Sequence, residues 1–117
     1  MRVESVMDIY KKVKSIIKGL GIECYYSTSE SSLEDYVIYK VSTESDSEFA
    51  DDRNLAVEYN VLVRYLYKKP NKIMRYKDII RAMKENGFSF AGAYDAGKEN
   101  PYLIKEMEFI YKDDSRL

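Results

Sequence analysis

The chain has 117 residues, 33 % of them charged, with a formal net charge of only -1; that length suits one domain with one core, and the balance leaves no overall field to draw the protein onto nucleic acid or an anionic membrane. A single cysteine, Cys24, excludes an internal disulfide and suits a reducing compartment, while the lack of histidine removes the commonest general base and the commonest zinc ligand together. No apolar run approaches the roughly 20 residues of a membrane span, and Met1-Arg-Val-Glu leads into an amphipathic pattern and not a signal-peptide core, so a soluble protein made in the cytosol is expected.

In chain order, apolar residues first recur at Val6, Ile9, Tyr10, Val13, Ile16, Ile17 and Leu20, the stripe of an amphipathic helix, with Gly19 and Gly21 as its stop. Its polar face carries Lys11, Lys12, Lys14 and Lys18. Ile22 to Tyr26 reads as a short strand, and Ser27 to Ser32 as a polar loop. Tyr36 to Val41 is a compact strand, apolar on both faces as far as Tyr39 and so placed inside a sheet. Ser42 to Asn54 is expected to be a long acidic connection; it holds Glu44, Asp46, Glu48, Asp51 and Asp52.

The most telling stretch is Ala56 to Tyr67. Its members Val57, Tyr59, Val61, Val63, Tyr65 and Tyr67 are all β-branched or aromatic, the period-two pattern of a long strand covering a core. Glu58, Asn60 and Arg64 mark the other side as partly wet, yet Leu62 and Leu66 interrupt it, and surplus apolar groups on an outer face usually meet another surface. Lys68 to Lys72 ends the strand, because Pro70 lacks the amide donor that a ladder needs.

A second helix is predicted from about Ile73 to Asn86, with the stripe Ile73, Tyr76, Ile79, Ile80 and Met83 and the stop Asn86-Gly87. Phe88 to Tyr94 begins another strand, Asp95 to Pro101 is a turn-rich connection, and Tyr102 to Tyr111 is the last strand, one side of its middle dry and the other charged. Two helices grouped against five strands give an α+β fold, a mainly antiparallel sheet of about five strands with both helices on one face. The expectation is a single domain with an ordered core over about 4–111 and a loose tail over 112–117.

Chemistry is poorly supplied. Cys24 has no imidazole to activate it and reads as a small buried hydrophobe, and no Gly-rich phosphate cradle precedes either helix. Asp46, Glu48, Asp51 and Asp52 are close enough in sequence to ligate a hard cation, but the segment lacks the central Gly of an EF-hand, and Glu34, Asp35 and Lys40 lack a nuclease-like acid-x-lysine spacing. Lys68, Lys69, Lys72, Arg75 and Lys77, interleaved with Tyr67 and Tyr76, form a local basic cluster of the kind that holds phosphates, without a basic total to support it. No cofactor, no metal and no enzyme activity are expected. Twelve tyrosines and no tryptophan suit half-buried strand positions and protein interfaces.

The sequence of elements, with Gly21-Ile-x-x-x-Tyr26, Tyr36-Val-Ile-Tyr39, Ser45-Asp-Ser-Glu-Phe-Ala-Asp-Asp52, Tyr59-Asn-Val-Leu-Val-Arg-Tyr-Leu-Tyr67, Glu85-Asn-Gly-Phe88 and Glu106-Met-Glu-Phe109, resembles small proteins of tailed bacteriophages and prophages at the head-tail junction, the tail terminator or tail completion proteins. The resemblance runs from Val6 to Tyr111 and rests on distributed pattern, with no fixed functional constellation to carry across. It implies a non-enzymatic α+β subunit that assembles into a ring, generally six-fold, on the tail tube and offers a surface to head-connector proteins. Its place would be the bacterial host cytoplasm during assembly and then the virion neck, with no membrane partner and no nucleic acid beyond DNA passing through the lumen.

Charge placement suggests how copies would meet. The acids Glu44, Asp46, Glu48, Asp51 and Asp52 oppose Lys11, Lys12, Lys14 and Lys18 in sign, which favours a head-to-tail contact, with Leu62 and Leu66 as apolar contributors. The same acids would serve a small cytosolic immunity or antitoxin-like protein that masks a basic partner. A metal-dependent nuclease is the third reading.

Overall fold

A computed structural model describes residues 6–26, 33–50 and 53–113, and the side chains within that set except at 45–50 and 53–56. Its elements are α1 (Val6–Gly19), β1 (Cys24–Tyr26), β2 (Asp35–Ala50), β3 (Arg53–Tyr67), α2 (Arg75–Glu85), β4 (Ser89–Glu99) and β5 (Tyr102–Asp113), with a 3-10 turn at Pro70–Lys72 ahead of α2. The sheet order is β1-β2-β3-β5-β4, with β1 parallel to β2 and every other neighbouring pair antiparallel. This is the expected α+β architecture.

The alternating residues of β3 form the floor of the core. Val57, Tyr59, Val61, Val63, Tyr65 and Tyr67 are each at most 4 % exposed, and Ile9, Val13 and Ile17 of α1 pack on them together with Ile79 and Met83 of α2. Both helices therefore lie on one face. They end alike: Gly21 (φ 77°) and Gly87 (φ 92°) take the left-handed backbone. The Gly21 and Gly87 amides then bond the Lys18 and Lys84 carbonyls, while the next amides, of Ile22 and Phe88, reach back to Ile17 and Met83. That is the Schellman closure, and its hydrophobic pairs, Ile17 with Ile22 and Met83 with Phe88, all belong to the core.

The sheet departs from expectation in three places. Ser42 to Ala50 is not a loop but the continuation of β2, paired with β3 as far as Ala50 and Arg53. Asp95 to Glu99 continues β4, with register shifts between Phe90 and Gly92 and between Asp95 and Lys98 and with Gly97 at φ 90°; such bulges let a strand absorb turn-forming residues without breaking its pairing. Lys112 and Asp113 are not loose but belong to β5, where Asp113 pairs with Val57. Residues 4, 5 and 114–117 of the predicted core and tail lie outside the described residues.

Candidate docking surfaces

Past the Val57 and Asp113 pair, β3 has no neighbour other than β2 among the described residues, so the hairpin runs on as a two-stranded ribbon. It gives the chain extents of 52 × 23 × 23 Å. Glu44 is exposed at its base and stands opposite Tyr59, hence on the helix side of the sheet. Asp46 and Glu48 occupy β2 further out, where only the backbone is described, and Asp51 and Asp52 fall outside the described residues.

The helix layer carries the opposite sign. Lys11, Lys14 and Lys18 are exposed along α1, whereas Lys12 leaves that row: it is half-buried, with Nζ 5.5 Å from the centroid of the Tyr111 ring. On α2, Lys77, Arg81 and Lys84 recur at steps of four and three and share one exposed face. They line a shallow groove of about 440 Å³ with Ile80 and Glu85. Arg81 Nη1 lies 3.4 Å from Asp78 Oδ1, an exposed pair one turn apart. Of these only Lys77 was singled out by sequence; the helical spacing of Arg81 and Lys84 was the available signal. Arg75 is half-buried, with its guanidinium turned to Asp35.

The two outer-face leucines separate. Leu66 is 1 % exposed and closed off by the chain itself, in a second apolar cluster with Tyr36, Tyr102 and Ile104. Leu33 packs over that cluster, and the Tyr102 hydroxyl donates to the Leu33 carbonyl at 2.6 Å. Leu66 is thus a core residue, not an interface residue. Leu62 stays half-buried at the wall of a depression of about 290 Å³ that also meets Tyr94, Glu106 and Glu108. Glu106 is 7 % exposed and lies 3.3 Å from Arg64 Nε, and its carboxylate raises the neighbouring Tyr94 hydroxyl above its ordinary value.

A polar node sits where the helices meet the sheet. Arg75 Nη1 approaches Asp35 Oδ2 at 2.6 Å, the Tyr65 hydroxyl donates to the same oxygen at 2.7 Å, and Arg75 Nη2 donates to the Leu20 carbonyl at 3.2 Å. Burial first, then the bond to Asp35, pushes the Tyr65 hydroxyl up. This arrangement holds α1, β2, β3 and α2 together and offers no open site.

Tyr10, Tyr26 and Tyr39 gather beside β1, the Tyr10 and Tyr26 rings 4.3 Å apart and their hydroxyls 2.9 Å apart. Cys24 is buried nearby, and burial pushes its thiol up to about 12, so the thiolate needed for nucleophilic attack is scarce at neutral pH. Among the described residues no group of three or more His, Cys, Asp or Glu is placed to hold a metal, and no helix is long and apolar enough to cross a membrane. No family model matches the chain, and no curated protein does.

Proposed function

We propose that this chain is a structural subunit of virion assembly at a phage or prophage head-tail junction, a tail terminator or completion protein that forms a ring, hexameric in the usual case, on the tail tube. The observation that carries the reading is the separation of charge over an elongated subunit. Glu44 stands exposed on β2, whose sequence continues outward through Asp46 and Glu48, and Lys11, Lys14, Lys18, Lys77, Arg81 and Lys84 stand exposed on the helices. Unlike charges at two different places on one subunit favour a heterologous contact, which closes into a ring when the rotation suits. The residue pattern from Val6 to Tyr111 supports the same assignment. Its role is mechanical and not enzymatic, it needs no cofactor, and it is exercised in the host cytoplasm and then in the virion neck.

Electron microscopy of the purified protein at high concentration, alone and with tail tubes, tests this. Rings, or caps on the tube ends, are expected. Free monomers at every concentration together with bare tubes would overturn it. The acidic ribbon also fits a second reading, an immunity or antitoxin-like protein that masks a basic partner; tight one-to-one capture of a basic toxin without rings would favour that.

A further inference from the structure

The two helices and the connection that leads into α2 concentrate one sign of charge. Residues 6–19 and 68–85 hold eleven Lys or Arg against three Asp or Glu, a net +8, while the rest of the chain holds eight against seventeen, so that the whole comes to only -1. Both helices pack on one face of the sheet, and a chain that is nearly neutral in total therefore presents a cationic layer. A local field of this kind attracts a polyanion even when the net charge does not.

Within that layer the α2 side carries the longest row. Lys77, Arg81 and Lys84 stand exposed, and they lie opposite Ile79 and Met83, which enter the core, so the row points away from the sheet. Lys69, exposed, and Lys72, half-buried, bring two more cations to the start of the helix at the 3-10 turn. The acids of α2 are Asp78, 3.4 Å from Arg81 Nη1, and Glu85. From Lys77 to Lys84 the helix rises about 10 Å at 1.5 Å per residue, a length over which a DNA duplex carries about six phosphate charges at one per 1.7 Å.

Two observations choose the partner. Protein interfaces centre on aromatic and apolar anchors and are poor in Lys, whereas this row offers only the half-buried Ile80 and, at its start, the exposed Met74. Single-stranded nucleic acid needs exposed rings on which bases stack, and the tyrosines interleaved with these cations in sequence are withdrawn. Tyr67 is 4 % exposed, and Tyr76 is half-buried with Lys105 Nζ 4.6 Å from its ring centroid. What remains is a row of positive heads with no reader of bases.

We infer that the α2 face, through Lys69, Lys72, Lys77, Arg81 and Lys84, binds the phosphate backbone of double-stranded nucleic acid without regard to sequence. The cationic heads replace counterions at the phosphates, and the planar guanidinium of Arg81 can hold two phosphate oxygens at once. The inference goes beyond the ring reading and does not need it, because the face belongs to one subunit and the α1 row of Lys11, Lys14 and Lys18 stays available to a neighbouring copy.

Fluorescence anisotropy of a labelled DNA duplex, titrated with the full chain over a salt series, tests it. Binding is expected at low salt, with log K falling against log salt at a slope of about -4 to -5, from five phosphate contacts at about 0.9 each. Changing the base sequence should alter little, and the single strand should bind more weakly. The variant Lys77→Gln, Arg81→Gln and Lys84→Gln should bind the duplex on the order of tenfold more weakly and make the slope shallower by about 3. Circular dichroism checks its folding; were it unfolded, the pair Lys77→Gln and Lys84→Gln takes its place, with the slope shallower by about 2. No anisotropy change at low salt, an unaltered slope in the variant, or tighter binding of the single strand overturns the inference. So does displacement by polyglutamate as readily as by unlabelled duplex, which would make the face a seat for an acidic protein instead.

Discussion

The buried Tyr65 hydroxyl and the Arg75 guanidinium converge on one oxygen of Asp35, at 2.7 and 2.6 Å. A single carboxylate therefore joins the first residue of β2 to the middle of the sheet and to the start of α2. Tyr65→Phe removes the hydroxyl that bonds Asp35 and also lies 3.2 Å from the Lys72 carbonyl, and should cost about 1–2 kcal/mol, while Asp35→Ala takes the carboxylate from the Arg75 guanidinium, which keeps the Leu20 carbonyl, and should cost about 2–4 kcal/mol. Urea unfolding of the two variants measures the order. An equal or larger loss for Tyr65→Phe would mean that the carboxylate is not the centre of the node.

Alkaline pH should loosen the fold through the tyrosines. Burial holds Tyr10 and Tyr39 up to about 12 from an ordinary value of 10.0, and Tyr65 is raised as well. The folded chain keeps these protons after the unfolded chain has lost them, so their contribution is whole below pH 10 and declines between about pH 10 and 12. Thermal melts across pH 8–12 should show a midpoint that begins to fall near pH 9, where the unfolded chain loses the Cys24 proton that burial retains, and falls more steeply above about pH 10 as the tyrosines join. A fall beginning at pH 8 would point to other groups.

The outer-face leucines should respond unequally. Leu66→Ala opens a cavity between Tyr36, Tyr102 and Ile104 and is expected to cost about 2–5 kcal/mol. Leu62→Ala, at a half-buried position, should cost less than about 1.5 kcal/mol. Chemical denaturation of the purified variants compares them directly.

Shortening the ribbon should separate folding from assembly. Asp46 and Val57 are register partners, so a two-residue Asn-Gly turn between them in place of 47–56 matches a type I′ hairpin. The variant should still fold cooperatively, with its melting temperature within a few degrees of the wild type. Self-association should disappear. Unchanged sedimentation would remove the ribbon from the assembly contact.

Much of the fold was legible because burial is periodic. The α1 stripe, the odd positions of β3 and the Gly21 and Gly87 stops all follow from local rules that leave a mark on adjacent residues. The extension of β2 was hidden because Ser42 to Ala50 has no apolar alternation; its strand is enforced by pairing to β3. Leu66 was misread for a different reason. Its alternation places it on the outer face correctly, but Leu33 and Tyr102, which cover it, come from distant parts of the chain. The Arg75 contact with Asp35 likewise spans 40 residues. Of the docking surfaces, the sign of each charged segment was readable, whereas the turning of Lys12 toward Tyr111 and of Arg75 toward Asp35 needed the packed structure.

The sequestered thiol has a practical corollary. With Cys24 enclosed and held in its protonated form, a thiol-selective reagent at neutral pH will find the native cysteine of the folded chain out of reach. Cysteines introduced singly on the ribbon and on α2 would then report neighbour distances in the native background, and the order of subunits around an assembled particle becomes chemically traceable.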